Sequence, residues 1–305
     1  MARPGLKTQL GPLELRSPLI AASGTVGSVW EWADVADVEV YGAAVAKSVS
    51  PLPWEGRPAP RVAPTEAGML NGIGIQNPGI ERWVEEMTPR IERLGVPVWG
   101  SSVAHEAEGF AKVSHALEAA GVEAIEVNLS CPNLDDGIMF SFDERLAGEV
   151  VSAVRDTVSL PIGAKLSPNT PELVPVASAT RDAGADFIIL TNTAFGYGVD
   201  IDTERPLLSG GVGGYSGVGL KPISIRCVRE VSAALPDYPV VGCGGVFTGR
   251  DVLEYMMAGA SAVEAGTVHL AEPRAGVRIV REMRSEMNRL GFSEVGEVVG
   301  RLGTW

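Results

Sequence analysis

Along the whole chain, short apolar runs alternate with longer stretches in which apolar residues recur every three or four positions. The apolar runs predict buried strands, and the amphipathic stretches between them, several of which end at glycine, predict helices. We predict eight strands at residues 18–23, 43–48, 97–101, 124–130, 161–167, 187–193, 239–245 and 262–267. Near-continuous apolar runs are typical of parallel strands that are covered on both faces. Eight such units in succession predict an α/β fold, a (β/α)8 TIM barrel.

The alternative arrangement is a doubly wound open sheet, and the absence of a GxGxxG motif at the first helix argues against it. Residues 6–18, before the first strand, predict a small N-terminal β-hairpin that closes the barrel bottom. The sequence contains no repeat and no linker, so we expect a single domain over residues 1–305. Two long connections, 49–79 and 194–220, are expected to be functional because long loops inside a compact domain usually are.

Charge and cysteine content exclude several classes of function. The chain has 305 residues and a net charge of −13 without a basic block, which argues against nucleic-acid binding. No apolar run reaches the ~18–20 residues that span a bilayer, and the N-terminus lacks the apolar segment of a secretion signal, so we expect a cytoplasmic location. Cys131, Cys227 and Cys243 form an odd set without a CxxC pair. We therefore expect no disulfide framework and no metal site.

Polar residues and glycines collect at the predicted carboxyl ends of the strands, where barrel active sites lie. The stretch EAIEVNLSCPN (123–133), for example, turns from a buried strand to amides, a hydroxyl and a thiol. Each of the eight strands delivers polar atoms or glycines to the same rim, which predicts one converging site. The residues that we place there include Ser23, Lys47, Ser48, Ser101, Asn128, Asn133, Lys165, Ser167, Asn192, Thr193, Gly244, Gly245, Gly266 and Thr267.

Glycines predict a phosphate at one side of this rim. Strands seven and eight end in CGG and AGT, and the preceding loop contains GGVGGYSG (210–217). Glycine lets backbone N–H groups approach an anion, and barrels commonly bind phosphate after strands seven and eight. The alternative is that these glycines only make turns.

Two lysines end apolar strands, Lys47 in AAVAK and Lys165 in PIGAK. A buried lysine without an anion is costly, so each should face an electron-rich group. The alternative is that both make structural salt bridges. The loop NGIGIQNPG (71–79) contributes Asn71, which is not explained by the Asn-Pro-Gly turn that the rest of the loop suggests.

These motifs together resemble the dihydroorotate dehydrogenases. AKSVS, NGIGIQNPG, NLSCPN, AKLSPN, TNT, SGVGLKPI, GCGG and AGT occur in the order found in that family, over nearly the whole chain. The sequence is most similar to the class 1B enzymes, because DDGIMFSFDERLAGEVVSAVR follows SCPN. The membrane-associated class 2 enzymes carry serine at the position of Cys131. The resemblance implies oxidation of dihydroorotate to orotate in pyrimidine biosynthesis, with one FMN per chain.

The resemblance also implies roles for single residues. Cys131 would be the general base that takes a proton from C5 of dihydroorotate, while hydride leaves C6 for flavin N5. Lys165 would favour negative charge on the reduced flavin. A free thiol has a pKa near ~8.5, so activity should rise with pH in that range. The implied cofactor contacts are Ser23, Lys47, Ser48, Asn128, Lys165, Gly217, Gly244, Gly245, Gly266 and Thr267; the implied substrate contacts are Lys47, Asn71, Asn128, Asn133, Asn192 and Thr193.

For partners, the resemblance implies a homodimer and, in class 1B, a separate subunit that carries FAD and a [2Fe-2S] cluster and passes electrons to NAD. A class 1 enzyme of another type would use fumarate. Cys227 and Cys243, outside the motif, are interpreted as small buried side chains.

Two departures from the family pattern leave the substrate open. Ser101 stands where an asparagine is usual, and Tyr197 lies in a segment that commonly reads GMAID. We expect one flavin or substrate hydrogen bond to be rearranged or lost at Ser101, and an altered pocket roof at Tyr197. Three alternatives stay open: an FMN enzyme acting on another pyrimidine, a flavin-binding subunit without turnover, and a Schiff-base aldolase that uses Lys165.

Overall fold

The structure is a computed structural model that describes residues 3–130 and 139–303. Eight parallel strands pair in chain order, and the eighth pairs with the first to close a barrel. The strands are Leu19–Ala21, Ala43–Val45, Val98–Ser102, Ala124–Asn128, Ile162–Leu166, Phe187–Leu190, Val240–Cys243 and Ala262–Ala265. Each lies within a predicted apolar run or extends one residue beyond it. The predicted (β/α)8 barrel is confirmed, and the open-sheet alternative is wrong.

Helices surround the barrel because each presents an apolar stripe to the strands. The final helix shows the rule: it buries Ile279, Met283 and Met287 at intervals of four, and it ends at Gly291, whose φ of 82° suits a left-handed cap. No helix in residues 3–130 or 139–303 is both long and apolar enough to cross a membrane. The α-helices are Trp30–Ala33, Ile80–Ile91, Ala107–Ala119, Glu144–Arg155, Leu173–Asp182, Lys221–Ala234, Gly249–Ala258, Val268–Ala271 and Ala275–Leu290.

The N-terminal hairpin closes the bottom of the barrel, as the sequence predicted. Its strands, Thr8–Leu10 and Leu13–Leu15, pair antiparallel. Leu10 and Leu15 are buried in the same cluster as residues from the lower part of the barrel interior. The Thr8 hydroxyl donates a hydrogen bond to the Ser261 carbonyl, directly before the eighth strand begins. The hairpin therefore seals the amino-terminal ends of the strands.

A second sheet lies at the opposite end, and the sequence did not predict it. Its four antiparallel strands are Val62–Thr65, Gly68–Asn71, Ala194–Tyr197 and Val212–Ser216. This outer sheet joins the two long connections, because Asn71 from the first lies opposite Gly214 from the second. Segments about 140 positions apart in the chain thus form one wall above the barrel.

Candidate active site

The carboxyl ends of the strands open into a cavity of about 290 Å³. Both the barrel strands and the outer sheet line it. Most of the residues that we predicted for the site meet here: Ser23, Lys47, Ser48, Asn71, Asn128, Lys165, Asn192, Thr193, Gly244, Gly245, Gly266 and Thr267. Residues that the sequence analysis did not single out complete the lining, among them Val62, Met69, Thr191, Ser216 and Leu270.

Five predicted site residues are not seen at the cavity, and two of them, Ser101 and Ser167, are fully buried and do not line it. Cys131 and Asn133 lie outside the described residues. Gly217 is not among the lining residues; its φ is 105°, and an added Cβ would lie 2.4 Å from the Gly68 Cα, so it closes a tight turn behind Ser216. The role of Gly217 in cofactor binding stays a prediction.

The glycine pair after the seventh strand leaves backbone facing the cavity. Gly244 and Gly245 have φ values of 129° and 67°, a region that side chains disfavour. A Cβ on Gly245 would lie 2.8 Å from the Gly217 carbonyl oxygen. Within the described part of the chain, no hydrogen bond uses the backbone N–H of Gly244, Gly245 or Thr267. These donors can receive an anion such as a phosphate.

Amides and hydroxyls form a connected group on the other side of the cavity. Asn128, at the end of the fourth strand, donates to the Ser48 hydroxyl at 3.1 Å. Asn192 donates to the Asn128 carbonyl oxygen at 3.4 Å and accepts from the Thr193 backbone N–H at 2.8 Å. These contacts fix the rotamers of several groups that a planar amide ligand needs as partners.

The outer sheet places Asn71 in the cavity wall, where its side chain donates to the Gly214 carbonyl at 3.2 Å. Asn77, from the same loop motif, has a structural role in the turn. It is buried, and its side-chain oxygen accepts from the backbone of Ser50 and Gly79. The Asn-Pro-Gly part of the motif is therefore a turn that starts the helix Ile80–Ile91, while Asn71 belongs to the cavity.

Lys165 is held by two buried carboxylates directly below the cavity. Its Nζ lies 3.0 Å from Glu126 Oε2 and 2.8 Å from Glu264 Oε2, and it also donates to the Ser23 hydroxyl at 3.3 Å. The side chains of Glu126 and Glu264 are fully buried. Burial lowers the pKa of Lys165, but the two carboxylates outweigh burial and hold this pKa well above its usual value. We call Glu126, Lys165 and Glu264 the buried triad.

The buried triad bears on the alternatives for Lys165. A lysine that forms a Schiff base must lose its proton readily, and a raised pKa opposes that. The geometry therefore disfavours the aldolase. Lys165 both makes salt bridges and lines the cavity, so the two interpretations of this lysine are not exclusive.

Glu126 and Glu264 are charged residues next to the cavity that the sequence analysis also missed. The signal was present as a glutamate in the middle of two apolar strands, AIEVN and AVEAG. Successive strand residues alternate between the two faces, so Glu126 shares a face with Asn128, and Glu264 shares one with Gly266. A charged residue at an inward position two residues before a predicted site residue was sufficient to place both.

Glu264 has an environment unlike that of Glu126. Burial, opposed by Lys165 and reinforced by the Glu126 charge, raises the pKa of Glu264 to about 7. Its Oε1 is buried and accepts no hydrogen bond from an N–H or O–H group in the described parts of the chain, while the Cys243 thiol hydrogen-bonds to the carboxylate. Cys243 interacts with Glu264, and burial raises the pKa of the Cys243 thiol. Cys227 and Cys243 are both free and buried.

The two departures from the family pattern have different consequences. Ser101 is fully buried, donates to Glu126 Oε1 at 2.9 Å and shares a 2.9 Å hydrogen bond with Ser48. It therefore links the buried triad to the amide group from behind the cavity. Tyr197 is 58% exposed on the outer sheet and is not among the lining residues, so the expected change in the pocket roof is not supported.

Comparison with known proteins gives a family match over most of the chain. The family described as dihydroorotate dehydrogenase matches residues 5–287. A protein of Geobacter sp. strain M21, named dihydroorotate dehydrogenase B (NAD(+)), catalytic subunit, is 40% identical over 304 residues, 99% of each chain. Proteins with the same name are similar in Alkaliphilus metalliredigens, at 36% identity over 99% of this chain and 100% of the relative, and in Bacillus mycoides, at 38% over 97% and 96%.

Proposed function

The chain belongs to the dihydroorotate dehydrogenase family, and from that premise we propose that it oxidises dihydroorotate to orotate in de novo pyrimidine biosynthesis. The observation that carries the proposal is the match of full length to relatives named for this activity. The cavity supports it, because it gathers amides, lysines and free backbone donors at the carboxyl end of a barrel.

FMN is the cofactor that we propose for the cavity. The residues present fit its two chemically different parts. Gly244, Gly245 and Thr267 offer backbone N–H groups to the phosphate, with Gly266 beside them. Lys47 and Lys165 line the cavity and would offer positive charge to the flavin ring. When bound, FMN supplies a hydride acceptor.

Side chains of the protein supply substrate binding and proton transfer. Asn71, Asn128 and Asn192 bind the amide and carboxylate groups of dihydroorotate, together with Asn133 by resemblance. The hydrogen bonds among Asn128, Asn192 and Ser48 orient the amides before substrate arrives. Cys131, as general base, accepts the proton from C5 of the substrate while hydride leaves C6.

Relatives named as NAD(+)-type catalytic subunits support a separate electron-transfer partner. We propose that this partner carries FAD and a [2Fe-2S] cluster and that NAD is the final acceptor, with fumarate as the alternative. The chain itself, where described, shows no cluster of three or more possible metal ligands. A homodimer, a single domain over 1–305 and a cytoplasmic location also remain predictions.

The function is tested by adding dihydroorotate to the purified protein without oxygen. We expect a bound-flavin spectrum that bleaches. Cys131→Ala should retain FMN but slow bleaching by several orders of magnitude, because the proton at C5 loses its acceptor. A variant that bleaches at the normal rate would remove Cys131 as the base. Flavin that bleaches with another dihydropyrimidine instead would change the substrate.

The phosphate position is tested separately. Gly245→Asp should lower FMN content, because its carboxylate repels a phosphate at the free backbone donors. Gly121→Asp is the matched control: Gly121 also has a positive φ, 95°, but an added Cβ there meets nothing within 4 Å. Normal FMN content in Gly245→Asp, with the control also normal, would move the phosphate elsewhere.

A further inference from the structure

We infer that Glu126 and Glu264 act through Lys165 as positioning residues that place negative charge behind the flavin and thereby lower its reduction potential. This inference rests on the proposed function, because it requires FMN in the cavity. It concerns two residues that lie behind the cavity lining rather than in it.

The buried triad holds the Lys165 ammonium in a fixed position by hydrogen bonds. The Lys165 ammonium has three N–H donors, and among the described residues its acceptors are Glu126, Glu264 and Ser23. The two glutamates come from two other strands of the barrel, and Ser23 follows a third. Lys165 has only 5% of its side chain exposed, and that part contributes to the cavity surface.

The buried triad contains one more carboxylate than is needed to neutralise Lys165. One carboxylate would neutralise Lys165. Above the Glu264 pKa of about 7 both carboxylates are ionised, and the buried triad then has a net charge of −1. Burying a second carboxylate costs free energy, and an isolated buried pair is already weak evidence for stability. A purely structural role explains one glutamate but not both.

The excess negative charge lies behind Lys165, on the side away from the cavity. Lys165, Ser23 and Cys243 line the cavity, and the carboxylates of Glu126 and Glu264 lie directly behind Lys165. Reduction adds negative charge to a flavin, so fixed negative charge behind the cation opposes reduction. In a low-dielectric interior this effect is screened by salt much less than at the surface. The second carboxylate thus offsets part of the electrostatic stabilisation that Lys165 alone would give to the reduced flavin.

The test is the midpoint potential of bound FMN, measured by titration against a reference dye at about pH 8, above the Glu264 pKa of about 7. Glu264→Gln removes the charge but keeps the shape of the side chain. We expect the potential to rise by about 30 mV or more, which is about tenfold in the equilibrium of a two-electron couple. Glu264→Asp keeps the charge and should stay near wild type.

Controls separate this inference from the function on which it rests. Glu230→Gln, on an exposed helix position, should leave the potential unchanged. If Glu264→Gln does not fold, Glu126→Gln carries the same test from the fourth strand. Variants that bind FMN with an unchanged or lower potential overturn the inference alone, when the wild type still bleaches with dihydroorotate. A wild-type protein that binds no FMN overturns the proposed function and the inference with it.

Discussion

The lower and upper halves of the barrel interior consist of the same strands but carry different side chains, which are mainly apolar in the lower half and include polar and charged groups in the upper half. In the lower half, Trp99 and Phe187 pack against the hairpin leucines, with ring centroids 5.3 Å apart. In the upper half, two residues further along the strands, Glu126, Lys165 and Ser101 form a polar network. Because side chains alternate along a strand, inward positions two residues apart form successive layers. One layer closes the barrel, and the next supports the cavity.

This difference shows how one set of strands serves two purposes. The lower layer fills space with apolar side chains and needs no partners for charge. The upper layer buries charged groups that are stable only when each has its counterpart. We therefore expect substitutions in the lower layer to change stability alone, and substitutions in the upper layer to change stability, its pH dependence and the bound cofactor.

The largest effect should come from removing the cation of the upper layer. Lys165→Met leaves Glu126 and Glu264 buried without their partner, and we expect a loss of ~3–5 kcal/mol in the free energy of unfolding. Urea unfolding at about pH 8 measures it, where Glu264 is above its pKa of about 7. Lys112→Met, at an exposed helix position, is the matched control. A loss as small as that of the control would mean that the carboxylates do not depend on Lys165.

A smaller effect should appear as pH dependence in the same layer. Burial raises the pKa of Glu264 to about 7, so in the folded protein it keeps its proton in a range where the unfolded chain has lost it. Stability from this group is complete below the unfolded value of about 4.5 and is lost as pH rises through about 7.

Wild type should therefore lose on the order of 1–3 kcal/mol relative to Glu264→Gln over that range of rising pH. Urea unfolding of both proteins at a series of pH values gives the difference. Parallel curves would show that Glu264 has the same proton affinity folded and unfolded.

Periodicity along the chain was sufficient to predict the eight strands, the hairpin and most residues of the cavity. Each of those depends on local signals: an apolar run, a glycine pair, a polar strand end. The outer sheet could not be predicted in this way, because the pairing of Asn71 with Gly214 joins segments distant in the chain. Its register depends on the closed barrel beneath it, not on the local sequence.

The buried triad was missed for a different reason. Treating AIEVN and AVEAG as uniformly apolar discarded the one position in each that faces inward with a charge. For Ser101, the family comparison predicted a changed contact to the ligand, whereas the serine contacts Glu126 and Ser48 from behind. If the strand periodicity had been assigned residue by residue, Glu126, Glu264 and Ser101 would all have been placed in the upper layer.

The smallest effect should come from the lower layer, and it sharpens the contrast between the halves. Phe187→Leu leaves a partly filled space beside Trp99, so we expect a loss of ~1–2 kcal/mol in urea unfolding. The midpoint potential of bound FMN should not change, because the substitution alters volume and not charge. Phe195→Leu, on the exposed face of the outer sheet, is the matched control and should alter stability little. If Phe187→Leu shifted the potential as far as Glu264→Gln, the two layers would be coupled through packing, and charge alone would not explain the upper half.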